Sequence, residues 1–161
     1  MASTYTPIAT TTASGSASTI TFSSIPSTYT DLVIVLNGNA TTGSTGSIAL
    51  QFNSDTGSNY SYTRLLGDGS AASSARGSNT TATYMGDTGT DRAVFVVSLN
   101  NYSNTTTYKT SISRSNSQNY VSSYVGLWRS TSAISTVTLT APVGANWSST
   151  TTATIYGIKA A

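Results

Sequence analysis

Apolar residues in this chain recur at every second position, with hydroxyl residues filling the places between them. From Ser47 to Asn53, Ile48, Leu50 and Phe52 share one face. From Thr107 to Arg114, Tyr108 and Ile112 share a face; from Ser135 to Leu139, Val137 and Leu139 oppose Thr136 and Thr138. Between Tyr120 and Trp128, Val121, Val125 and Leu127 point one way while Tyr120, Tyr124 and Trp128 point the other. Near the end, Thr154, Tyr156 and Ile158 oppose Ile155, Ala153 and Gly157. A period of two is the signature of a strand, and the helical spacing i, i+3, i+4, i+7 is not sustained over any long window. Ser and Thr together make 60 of the 161 residues. Without a pattern that share would signal a disordered tract; alternating with apolar residues, it suits strands, because Thr branches at Cβ.

Further strands are expected at Ser18–Phe22, Asp31–Asn37, Tyr60–Leu66, Thr80–Tyr84 and Arg92–Leu99. The runs Leu32–Leu36 and Ala93–Val97 are apolar on both faces, which predicts central strands covered on each side. Turn signals stand at Pro26, Asn37-Gly38, Gly43 to Gly46, Asp55 to Gly57, Gly67 to Gly69, Gly86-Asp87 and Pro142 to Gly144. About nine or ten short strands at this spacing predict an all-β protein, a jelly-roll-like antiparallel β-sandwich, with an immunoglobulin-like sandwich as the alternative. Residues 18–161 form the expected sandwich domain. Residues 1–17, polar and weakly alternating, are expected to be an N-terminal extended arm that orders against a neighbour.

The missing residue types exclude more than the present ones suggest. The chain has no His, no Cys and no Glu; its acids are five Asp and its cations seven Arg and Lys. That removes disulfides, thiolate metal sites, thiol nucleophiles and the usual neutral-pH base. Asp55 and Asp68 flank a strand, but a glycosidase pair needs roughly 5 to 9.5 Å between carboxyls with one pKa raised, and Asx turns explain both residues better. No SxxK motif places Lys109 or Lys159 beside a nucleophilic Ser. Residues Asn53 to Asn59 carry oxygen side chains at alternating positions like part of a calcium loop, but no bidentate Glu follows, so a hairpin turn is expected. The reading is a non-enzyme with no catalytic residue, no metal and no cofactor.

The seven cations are scattered and form no basic stripe, so no nucleic-acid partner is expected. With no long apolar run, no membrane partner is expected, and the first twenty residues lack the n- and h-regions of a secretory signal. So few charges predict weak dependence of stability on salt and pH. Aromatics among hydroxyl and amide residues suit a glycan surface or a wet interface; Tyr102 and Trp147 are the candidates, although core packing accounts for most aromatics.

Several stretches stand out as a set: TYTPIATTT at 4–12, ITFSSIPSTYTDLVIVLNG at 20–38 and LQFNSDTGSNYSYTRLLGDGS at 50–70. NYSNTTTYKTSISR at 101–114, VGLWRSTSAISTVTLTA at 125–141 and TIYGIKAA at 154–161 complete it. Together they resemble small virion proteins of tailed bacteriophages, particularly those of aquatic bacteria such as cyanophages. The resemblance implies a structural virion component: a capsid decoration (cement) protein, a head fibre, or a receptor-facing tail domain. It also implies a β-sandwich assembling as a homotrimer, and it assigns no functional residue. With neither coiled-coil heptads nor a β-helical shaft, the chain fits a capsid-surface cement protein, partnered by the major capsid protein and its own copies. Tyr5, Pro7 and Ile8 of the arm are the expected capsid-docking residues. The alternative is a receptor domain of a tail or head fibre holding a host-surface glycan through Tyr102 and Trp147.

Overall fold

The computed structural model describes residues 4–41, 46–88, 90–117 and 120–159. Twelve strands run through them: β1 (Tyr5–Thr12), β2 (Thr19–Phe22), β3 (Asp31–Gly38), β4 (Gly46–Phe52), β5 (Tyr60–Gly67) and β6 (Ala72–Thr80), then β7 (Thr83–Thr88), β8 (Ala93–Leu99), β9 (Lys109–Asn116), β10 (Val121–Trp128), β11 (Val137–Thr140) and β12 (Thr152–Ile158). All pairings are antiparallel. Eight strands form one sheet in the order β1-β12-β3-β8-β9-β10-β5-β6, and four form the other in the order β2-β11-β4-β7. The protein is an all-β sandwich. Twelve strands are more than the nine or ten expected from the spacing, and they divide eight to four between the two sheets.

The core lies between the sheets. Leu32, Ile34 and Leu36 of β3 and Phe95, Val97 and Leu99 of β8 face inward from the large sheet. Ile48, Leu50 and Phe52 of β4 and Val137 and Leu139 of β11 face them from the small one, all in a single buried cluster. Each such side chain contributes roughly 1.5–3 kcal/mol by leaving water. The outer face of the small sheet is hydroxylated instead, with Thr21 and Thr138 joined Oγ1 to Oγ1 at 3.2 Å.

Three strands depart from the sequence reading. The segment expected as an arm contains β1, which pairs with β12 from Tyr5↔Ile158 to Thr12↔Thr152, broken by a shift between Pro7 and Ala9. It is an edge strand, and Ile8 packs partly against the core. β6 has no large apolar side chain, and its ladder to β5 rests on backbone pairing at the opposite edge. β7 starts three residues later than expected and runs through Gly86-Asp87, which sit in the strand and not in a turn. A register shift against β4 explains this: Asp87 pairs with Ser47 and Tyr84 with Ala49. Gly86 takes φ 152° there, and a Cβ at this position would collide with Ser115 Oγ and the Phe95 ring.

Beneath β9 and β10 the interior is polar. Ser111, Ser113, Ser122 and Thr83 are buried there, as is Lys109. The Lys109 Nζ donates to Thr107 O at 2.7 Å and Thr131 O at 3.2 Å, tying together the loops on either side of it. Burial lowers its pKa from the usual lysine value. Lys109→Met keeps the stem but leaves both carbonyls without this donor, so a loss of about 2 kcal/mol is expected in urea unfolding. An unchanged midpoint would show that water replaces the ammonium without penalty.

Candidate functional site

The large sheet has a second face, and among the described residues no further layer lies over it. In β10, Tyr124 and Trp128 turn inward while Val121 and Val125 turn out. The inward choice is polar as well as steric. Trp128 Nε1 donates to Asp55 Oδ2 at 2.7 Å, and Tyr124 Oη donates to both Asp87 oxygens at 3.0 Å. Valine has no such need and takes the outer positions. Strand register then aligns the outward residues of neighbouring strands: Val33↔Ser98, Val96↔Arg114, Ser98↔Ile112, Ile112↔Val125 and Arg114↔Ser123.

The result is an apolar field on the outer face. Tyr5, Leu65, Val94, Ile112, Val121 and Val125 are each between 42% and 63% exposed. Tyr5 meets Tyr156 edge-on at 6.3 Å along the β1–β12 margin. Two shallow cavities open there. One of about 370 Å³ is lined by Tyr5, Val33, Val96, Ile112 and Arg114 among others. The other, of about 510 Å³, is lined by Leu65, Val121, Arg114 and Ser123 among others. Eight strands at about 4.8 Å spacing and seven residues at about 3.3 Å give a face of roughly 34 by 23 Å, about 800 Å². The whole face, its Ser, Thr and Arg positions included, is thus about as large as one side of a standard-size protein interface, and the apolar side chains occupy part of it.

The chain matches no protein-family model and no curated protein.

The residues singled out from sequence separate in the structure. Tyr5 joins the outer face, Pro7 is exposed on the β1 edge, and Ile8 turns partly into the core. Tyr102 and Trp147 must be corrected: both are fully buried, so neither ring is offered to a glycan. Tyr102 Oη donates to Pro26 O, and Trp147 is bridged to Ala40 within the core cluster. The strands β3 and β8 are central neighbours as expected, but no further layer lies over their outer side among the described residues, where Val94 is 42% exposed while Val33 is shielded by its neighbours. The outer-face role of Val94, Leu65 and Arg114 was missed. The signal was there in the two-sided hydrophobicity, read as double cover when it marks an open face.

The acids are in use elsewhere. The hairpin expected at residues 53–59 is instead a crossing from the small sheet to the large one, since β4 and β5 do not pair. Asp55 closes this loop, accepting from Gly57 N at 2.8 Å, Asn59 Nδ2 at 3.0 Å and the Trp128 indole. The indole hydrogen bond, more than those of Asn59 and Gly57, holds its carboxyl below the usual aspartate value against some burial. Asp68 lies beyond the other end of β5, whose eight residues span roughly 25 Å, too far for a carboxyl pair. Asp87 accepts from Ser47 Oγ at 2.5 Å, from Tyr124, and from Arg64 Nη1 at 3.3 Å. No group of three or more potential metal-ligating side chains occurs among the described residues.

Proposed function

We propose that this chain is a non-enzymatic docking protein: a capsid decoration (cement) protein of a tailed phage, seated where capsid subunits meet and grouped in threes. The uncovered apolar face of the eight-stranded sheet carries this reading. Exposed apolar side chains gathered on one face from β5, β8, β9 and β10, four adjacent strands, mark a surface that takes a partner. The hydroxyl-clad face of the small sheet gives the assembled protein a side that water solvates without charges. The resemblance to tailed-phage virion proteins supplies the setting, and Tyr5 at the margin of the face keeps the N-terminal segment in the contact.

The test uses virions with and without this chain. Particles lacking it are expected to release DNA at lower temperature, and protein added back is expected to restore the wild-type value. Val121→Asp, which places a charge on the face, is expected to leave the fold intact and block restoration. Equal stability of the two particles removes the cement role. Saturable glycan binding by the isolated chain would move the reading to a receptor domain.

A further inference from the structure

We propose that Arg114 anchors the outer face by taking a carboxylate from a partner protein that surrounds that acid with apolar side chains. This rests on the docking reading and names the partner's chemistry. Arg114 sits in β9, within the sheet and not at its rim, between Val96 of β8 and Ser123 of β10. It is exposed, and it lines both cavities of the face together with a third beside Val94. In a chain with 60 Ser and Thr, most of them at the surface, and only seven cations, a guanidinium amid exposed Val, Ile and Leu is not needed for solubility.

Among the described residues no carboxylate forms an ion pair with Arg114, or with Arg76, which shares the outer face on β6. Asp31 stands on the same face at the far end of β3, where its Oδ1 accepts from Asn101 N at 2.7 Å. The face is therefore apolar with a positive centre. A planar five-donor fork is suited to bidentate carboxylate recognition, and arginine ringed by apolar contacts is a common interface hot spot. A second copy does not complement it. Asp31, the strand aspartate of this face, stands at the far end of β3 and is engaged with Asn101 N, so a face-to-face pair centred on Arg114 would confront arginine with arginine. The occupant that fits is a different protein with Asp or Glu set in an apolar surface.

Three amphipathic probe peptides, acetyl-Leu-Val-Glu-Val-Leu-amide and its Gln and Lys counterparts, are titrated into the full-length protein and followed by methyl and arginine Nε–H NMR shifts. Shifts are expected at Val96, Ile112, Val121 and Arg114, with the Glu peptide bound about fivefold tighter than the Gln peptide. Arg114→Gln is expected to abolish that preference, and Arg114→Glu to reverse it in favour of the Lys peptide. Equal binding of Glu and Gln peptides at this face overturns the role of Arg114 while leaving a docking face in place. Binding of none of the peptides overturns both. Concentration-dependent self-association that broadens the same methyls in sedimentation-matched samples also overturns the inference, by making a second copy the occupant.

Discussion

Between pH 10 and 12 the protein is expected to lose stability on the order of 5 kcal/mol, enough to unfold an ordinary domain of this size. The cause is two buried phenols. Tyr60 Oη accepts from Phe52 N at 3.0 Å, and burial pushes its pKa up to about 12. Tyr124, buried against Asp87 and Ser47, is likewise pushed up to about 12, with burial the largest cause. In the unfolded chain both would ionise near 10. A raised folded pKa means the native state holds protons that the unfolded state releases. The contribution is therefore complete below pH 10 and disappears as pH climbs through about 12. Burial raises Tyr84 and Tyr102 in the same sense. Lys109 works the other way: its lowered pKa favours the fold as pH rises toward 10.5, but it is one group against several. At the acid end Asp55 contributes stability above its ordinary value of 3.8 that is lost as pH falls through its lowered pKa. The weak pH dependence expected from the scarcity of charges thus ends at pH 10. Urea midpoints across this range, with phenolate absorbance recorded in parallel, check it. A flat midpoint up to pH 12 would contradict the burial argument.

Trp147→Ala is expected to lower stability by about 3–5 kcal/mol, because a fully buried indole leaves a cavity that its neighbours only partly fill. Phenylalanine discriminates between the two tryptophans. Trp147 Nε1 is buried with no acceptor among the described residues, so Trp147→Phe removes ring volume but no hydrogen bond. Trp128 Nε1 donates to the Asp55 carboxylate at 2.7 Å. Trp128→Phe loses that charged bond as well, for a further loss of about 1.5–3 kcal/mol. It should also let the Asp55 pKa rise toward its ordinary value, since this hydrogen bond is the largest cause of the depression. Chemical unfolding of the three variants and a carboxyl titration of Asp55 by NMR measure all of this. Equal losses for the two Phe variants would mean the indole–carboxylate bond contributes nothing.

Alternation in β4, β10, β11 and β12 was legible because large apolar and hydroxyl side chains differ plainly at successive positions. β6 was not, because Ala72 to Thr80 has no large apolar side chain and forms its ladder through backbone alone. β7 was misplaced because Gly86-Asp87 reads as a turn, whereas the glycine relieves a bulge and the aspartate serves Ser47 and Tyr124. Which face of β10 goes inside was beyond the pattern, since Val and Tyr are both good strand residues. The partners on other strands, Asp55 and Asp87, decide it. Tyr102 and Trp147 failed as surface candidates for a related reason: an aromatic among hydroxyl residues looks the same in sequence whether its neighbours in space are water or Leu side chains.

The pairing of β1 with β12 sets how the fold responds to tension. Tyr5 and Ile158 are opposite each other at one end of their ladder. A pull that separates them acts across the strands, so the bonds break in succession like a zipper, each bearing the strain alone. Antiparallel strands resist far better when sheared along their length and all rungs share the stress. A molecule built this way resists a pull along its strands and yields when tugged at this corner.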